Sequence, residues 1–374
     1  MNPKLIGPMR CVLSALYAIF KLWPVDEHLV VFLSRQSDRV PLDFTMLATR
    51  LRQQVPGVKI VIRCACLGST PMQRLAYIWH LIGDARQLAT AQVAVLDSYS
   101  IPVSVLKHKP SLFVIQLWHA MGKIKRSGLA NLDKPYGRSA VLADQLSMHA
   151  NNDLVVAGGQ AWNQFYRESF GPGDYQLLNV GLPRLDHLLS DGADIRAGLL
   201  SRYPQLAEKT VLLYAPTWRA SGKSGYQELV DQIDFDRYAL IVRQHSNEKA
   251  MTSRDARETV IDQDVATIDL LLVCDYLITD YSAIAVEAAA VSAKTLYYLF
   301  DYDDYVLNNG LNIDLFGEMP GCVYKNAADL MGLVRTGAYS IDALKRFANK
   351  YLPDKPGHAT EAICDVIAAH LDGV

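Results

Sequence analysis

Four polar tracts break the apolar runs of this chain, and their side chains suit a phosphate ligand. They are Trp118-His119-Ala120-Met121-Gly122-Lys123, Pro216-Thr217-Trp218-Arg219, Arg243-Gln244-His245 and Thr279-Asp280-Tyr281-Ser282. Each follows an apolar segment that reads as a buried strand, and between them they offer cations, hydroxyls and an imidazole. The last tract runs into the small-residue stretch Ala283 to Ala290, which predicts a helix. A strand that turns into a helix leaves backbone N–H groups and a positive dipole end above the turn, where an anion fits. Taken together, the four tracts suit a diphosphate. A packing role for His119, and a Thr or Ser cap with no ligand, are the plain alternatives for single tracts.

The elements that must carry these tracts follow from the hydrophobic pattern. Strands are expected at His28 to Ser34, Val58 to Arg63, Val93 to Leu96, Leu112 to Leu117, Leu154 to Ala157 and Tyr175 to Asn179, with helical spacing at Phe44 to Gln54 and Met72 to Leu88 between them. A second series is expected at Val211 to Tyr214, Ala239 to Val242, Thr259 to Ile261, Tyr276 to Ile278 and Thr295 to Tyr298. Strands alternating with helices predict α/β architecture with largely parallel sheets. Ligands in such sheets sit beyond the carboxyl ends of the strands, where the four tracts fall. The tract Gly181-Leu182-Pro183-Arg184-Leu185-Asp186 reads as the switch between two halves. Residues 341–371 read as helical with a break at Pro353 to Gly357.

A length of 374 residues suits two domains rather than one core. Half the residues are apolar and a fifth charged, which excludes general disorder, and a net charge of −2 argues against a nucleic-acid partner. Charge is uneven locally: Lys107 to Arg138 holds seven Lys or Arg against Asp133 alone, a patch for an anionic substrate or lipid surface, or a solvated basic face. The six cysteines have neither zinc-ribbon nor redox spacing, which points to a reduced, cytosolic protein with no metal held by them. The N-terminal run Leu5 to Trp23 is broken by Gly7, Pro8, Arg10 and Lys21, too interrupted for a spanning helix and without a signal cleavage site. It fits an interfacial helix or a helix packed on the domain.

Read in order, the tracts resemble the CDP-glycerol glycerophosphotransferases of teichoic acid synthesis. The likeness runs from about Leu96 to His358 and adds Gly181 to Asp186 and Phe300-Asp301-Tyr302-Asp303-Asp304-Tyr305 to the four tracts. It implies two facing Rossmann-like domains of the glycosyltransferase-B type. Their expected extents are residues 26–180 for the acceptor and 181–340 for the CDP donor, with 1–25 as a membrane-associating helix and 341–374 as helices bracing the first domain. It implies transfer of glycerol phosphate from CDP-glycerol, or of ribitol phosphate from CDP-ribitol, to a polyprenyl-diphosphate-linked disaccharide at the cytoplasmic face of the membrane. The family histidines map onto His119 and His245. His119 is the expected general base for the acceptor hydroxyl, since a neutral imidazole suits that proton.

His245 then neutralises charge, with Thr217, Arg219, Arg243, Thr279, Asp280 and Ser282 on the donor and Trp118, Gly122 and Lys123 on the acceptor. The chain departs from the family at Ala120, Ser246, Ala283 and His358, the last standing where many members carry Lys. Asp301, Asp303 and Asp304 invite a Mg2+ reading, but their aromatic setting favours solvation or capping, so no metal and no cofactor is expected. The length suits a priming enzyme better than a polymerase. A nucleotide-sugar glycosyltransferase or epimerase using Glu287 and a membrane-bound nucleotide-binding scaffold are the rival readings.

Overall fold

The computed structural model describes residues 6–217, 219, 224–243 and 255–372. His245 and Trp218 lie outside the described residues. The chain forms two compact units, and neither is continuous in sequence. The first unit comprises residues 1–121, 127–186 and 353–374, and the second 122–126 and 187–352.

The sheet of the first unit contains β1 (Asp26–Ser34), β2 (Lys59–Cys64), β3 (Ala91–Leu96), β4 (Phe113–Gln116), β5 (Leu154–Ala157) and β6 (Gln176–Asn179). Its order is β2-β1-β3-β4-β5-β6, and every pair is parallel. The sheet therefore reverses its winding beside β1, which makes the β1/β3 boundary the expected ligand crevice. Helices α1 (Ile6–Phe20), α2 (Leu42–Gln54) and α3 (Pro71–Leu88) cover it. The capping box of Thr70 and Gln73 starts α3, whose buried side chains Tyr77, Leu81, Ala85 and Leu88 recur at helical spacing.

The α1 question resolves towards packing on one side only. Leu13, Tyr17 and Phe20 lie against Leu29, Val31 and Leu33 of β1 and against Ala85 and Leu88 of α3. Ile6 is fully buried in a second cluster with Tyr99 and Met148, and such burial stabilises by about 1.5–3 kcal/mol per side chain. The opposite face of α1 exposes Val12 and Ile19, followed by Leu22 and Trp23. No described helix is long and apolar enough to cross a membrane.

The second sheet contains β7 (Thr210–Tyr214), β8 (Tyr238–Val242), β9 (Tyr276–Thr279), β10 (Lys294–Tyr298) and β11 (Val323–Tyr324). Its order, β11-β10-β9-β7-β8, repeats the winding of the first sheet, with the switch between β7 and β9. Thr259 to Ile261 does not form the expected strand. Only the Thr259 amide reaches β8, at Leu240 O, 2.8 Å away, while the carbonyls of Ile261, Asp262 and Val265 accept from the Arg243 guanidinium. Those carbonyls are turned to a side chain instead of a neighbouring strand.

The boundaries also differ from those expected. The chain leaves the first unit after Asp186 and returns at Pro353, so the helix Ile341–Tyr351 packs inside the second unit, on the helix Ile284–Ala290. Only the helix Ala359–Leu371 rejoins the first, where it lies on α2 and Gln54 donates to Asp365 at 2.7 Å. Asp186 makes that return, its carboxylate accepting from the amides of Ala359 (3.1 Å) and Thr360 (2.7 Å) at the helix start. Arg184 of the same tract pairs with buried Asp43 of α2. The tract read as a switch between halves thus stitches the first unit together.

Candidate active site

At the β1/β3 switch point, three strand ends converge on His119. Buried Asp97, just past β3, accepts from Ser34 Oγ (2.6 Å) and Ser98 Oγ (2.8 Å), which fixes the strand end. Its burial pushes the Asp97 carboxyl up, against the opposing effect of the two hydroxyls. The backbone oxygen of Asp97 lies 3.3 Å from His119 Nδ1, and the Gln36 amide lies 3.2 Å from the same nitrogen. A carbonyl oxygen only accepts, so a proton on Nδ1 suits this contact and would leave the lone pair on Nε2. Turning the Gln36 amide so that its oxygen faces the ring lets it share that N–H. The imidazole is exposed, and that tautomer would present Nε2 as its basic atom.

Trp118 sets the direction of that ring. Its φ of +61° is left-handed, a conformation rare for a bulky residue and one that concentrates at functional sites. Buried Gln116 supports the bend, accepting from Trp118 N at 2.9 Å and donating to Ser98 O at 3.2 Å. The indole lies between the rings of His119, His149 and Phe170, at centroid distances of 4.3, 5.6 and 5.4 Å. Asp97, Gln36 and Gln116 are absent from the sequence reading. Of these, only Asp97-Ser98 carried a signal, as a polar pair directly after a buried strand.

At the β7/β9 switch point the residues are the expected ones, but they hold each other. Asp280 accepts from Thr217 N (2.9 Å), Thr217 Oγ1 (2.6 Å) and Tyr281 N (2.6 Å), while Thr279 Oγ1 donates to Ala215 O at 2.7 Å. Buried Arg219 reaches Asp280 at 2.8 Å and Asp301 at 2.8 and 3.1 Å. Its guanidinium lies 4.9–5.4 Å from the ring centres of Tyr305, Tyr281 and Phe300. Burial opposes this charge, but the two carboxylates outweigh it and raise the Arg219 pKa above its ordinary value.

Asp301 is therefore neither solvated nor a cap, as the sequence suggested, but a buried counter-ion, and Phe300 to Tyr305 builds the cage around Arg219. Arg243 is likewise buried, donating to loop carbonyls. Ser282 is half-buried, and no described residue hydrogen-bonds its hydroxyl. Glu287 is buried in the helix Ile284–Ala290, which has only seven residues.

Gly122 and Lys123 belong to the second unit, not the first. The strap 122–126 is clamped by residues 309–312: Asn312 N donates to Ile124 O (2.9 Å), Asn312 Nδ2 to Lys123 O (2.7 Å), Arg126 N to Gly310 O (3.1 Å) and Asn309 Nδ2 to Arg126 O (3.1 Å). Gly310 has φ +88°, and a Cβ there would lie 2.9 Å from Arg126 Cδ, so the close approach needs glycine. Burial pushes the Lys123 ammonium down to about 7. The basic stretch Lys107 to Arg138 is thereby divided: Lys109 donates to Trp23 O at 2.6 Å in the first unit, while Lys123 and Lys125 enter the second. Among the described residues no His, Cys, Asp and Glu group is arranged to hold a metal ion, and the six cysteines are free thiols.

Two parallel sheets wound in this way define a glycosyltransferase-B-like α/β fold. The wall teichoic acid polymerase TagF has it, superposing with a TM-score of 0.74 over 100% of this chain and 98% of that one at 17% identity. The UDP-GlcNAc 2-epimerase of Neisseria meningitidis shares the fold more loosely, at a TM-score of 0.58, 13% identity and coverage of 91% and 99%. Residues 15–369 match the model of the CDP-glycerol:poly(glycerophosphate) glycerophosphotransferase family, and the chain belongs to that family of teichoic acid transferases. It is 27% identical to the teichoic acid ribitol-phosphate primase of Bacillus spizizenii over 94% of this chain and 93% of that protein. It is 25% identical to the teichoic acid glycerol-phosphate primase of Bacillus subtilis over 77% and 76%. The poly(ribitol-phosphate) polymerase of B. spizizenii matches at 25% over 94% of this chain but 58% of its own length.

Proposed function

We propose that this chain primes a teichoic acid type polymer, moving one glycerol phosphate from CDP-glycerol to a hydroxyl of a polyprenyl-diphosphate-linked disaccharide and releasing CMP. The observation that carries the reading is the place of His119, in a chain of this family: exposed at the β1/β3 switch point with Nδ1 3.3 Å from the Asp97 carbonyl, an orientation that suits a basic Nε2. The acceptor oxygen attacks the β-phosphorus as its proton passes to His119 Nε2. The new P–O bond forms while the bond to the bridging oxygen breaks, and CMP departs with that electron pair. Trp118 offers an aromatic face to the acceptor, and His245 neutralises charge on the donor.

On the donor side, Ser282 and the backbone around it meet the nucleotide, and Thr217, Arg219, Thr279 and Asp280 hold that backbone in shape. Arg243 does the same for the loop after β8. CDP-ribitol is the second reading, favoured by the match to the ribitol-phosphate primase along nearly the whole of both chains. CMP release from each donor, with and without a lipid-linked disaccharide analogue, followed by the product mass, decides between them. Turnover of UDP-sugars instead would move the chain to the nucleotide-sugar enzymes.

Peripheral attachment to the cytoplasmic membrane face is part of the proposal. In support, Val12 and Ile19 lie outward on α1, Leu22 and Trp23 follow it outward, and Met72 and Trp79 lie outward on the neighbouring α3. Indole rings favour the headgroup level, and α1 carries no acid. Co-sedimentation with anionic vesicles tests it: Ile19→Ser with Trp23→Ser should release the protein without changing its melting temperature. Undiminished sedimentation would sink this part of the reading.

A further inference from the structure

The donor unit needs a cation for a diphosphate, and both arginines nominated from the sequence are tied to protein groups. Arg219 lies between Asp280 and Asp301, and Arg243 donates to the carbonyls of Asp262 and Val265. The strap 122–126 brings in another cation. Lys125 is half-buried, its backbone bridges to Leu311, and its carbonyl accepts from Asn312 Nδ2. Its ammonium makes no hydrogen bond or ion pair with any described residue, although it lies near enough to Asp280 and Arg219 to feel their charges.

We propose that Lys125 binds the diphosphate of the nucleotide donor, completing in the second unit a site that its buried arginines shape but do not contact. The inference rests on the donor reading above. A half-buried ammonium beside a fixed ion network attracts a phosphate more strongly than a surface lysine, because less water screens it. Burial lowers the Lys125 pKa, with Asp280 opposing and Arg219 adding to the effect. A lipid diphosphate offers the same chemistry, but the strap's place in the unit that carries Thr217 and Asp280 favours the nucleotide.

Calorimetric titration of the full chain with CDP, CMP, cytidine and farnesyl diphosphate tests this for the wild type, Lys125→Gln and Lys125→Arg. Lys125→Gln should weaken CDP at least tenfold, CMP less and cytidine not at all, with Lys125→Arg recovering part of the loss. Unchanged CDP affinity, an equal loss for cytidine, or a loss confined to farnesyl diphosphate would each overturn the assignment. If Lys125→Gln does not fold, Lys125→Met, which keeps the buried stem, is read by the same criteria. A folded wild type that binds no CDP overturns the donor reading itself, a result distinct from a wild type that binds CDP with or without Lys125.

Discussion

The two units wind their sheets identically, yet they treat the switch point in opposite ways. In the first, the key imidazole is exposed, beside a backbone carbonyl, a glutamine amide and an indole. In the second, the motif residues are buried and bound to one another, with Arg219 fixed by two carboxylates and three rings. The difference separates two tasks that a motif performs. Moving a proton needs an accessible basic atom, whereas presenting backbone to an anion needs a rigid underlay.

Breaking the first site should leave the fold alone. His119→Ala is expected to lower transfer by about 10³-fold, with CDP affinity and melting temperature unchanged. A parallel loss of stability would make His119 a packing residue and erase the contrast. Breaking the second site should do the reverse: Arg219→Met leaves Asp280 and Asp301 without their cation and is expected to destabilise by about 3 kcal/mol in chemical denaturation. If stability holds while CDP binding is lost, Arg219 contacts the ligand directly.

Lys123 gives a pH test of the same underlay. Its folded pKa of about 7 lies below the ordinary 10.5, so between these values the unfolded chain holds the extra proton and wild-type stability rises with pH, by at most about 1.4 kcal/mol per unit. Lys123→Met should therefore be most advantageous below pH 7, and its advantage should shrink as the pH rises towards 10. A difference that does not vary with pH would show that Lys123 is charged in the fold throughout. The smallest effect is expected for Gly310→Ala, about 1 kcal/mol from forcing a side chain into a positive φ beside Arg126. No loss there would mean that the strap yields easily.

Much of this contrast was visible in the residues. Apolar runs located ten of the eleven strands among the described residues, because parallel strands buried on both faces read as continuous hydrophobic segments. The two-residue β11 was too short to register, and Thr259 to Ile261 looked like a strand although its carbonyls serve Arg243. The polar tracts marked the strand ends, but not which of them face inwards. Asp301 and Arg219 are 82 positions apart, and nothing local to either announces the other. The same holds for Asn309 and Asn312, whose hold on the strap spans more than 180 positions.

The return of the chain at Pro353 also bears on how the molecule is made. The first unit's sheet emerges from the ribosome early, but the helix Ala359–Leu371 that lies on α2 follows only after the whole second unit. At roughly 5–20 residues per second, the three hundred or so residues between them leave α2 uncovered for about fifteen to sixty seconds. Leu47 and Leu51, fully buried in the finished fold, lie on α2 through that interval. Nascent chains of this protein should therefore engage chaperones through the α2 face until the last helix arrives.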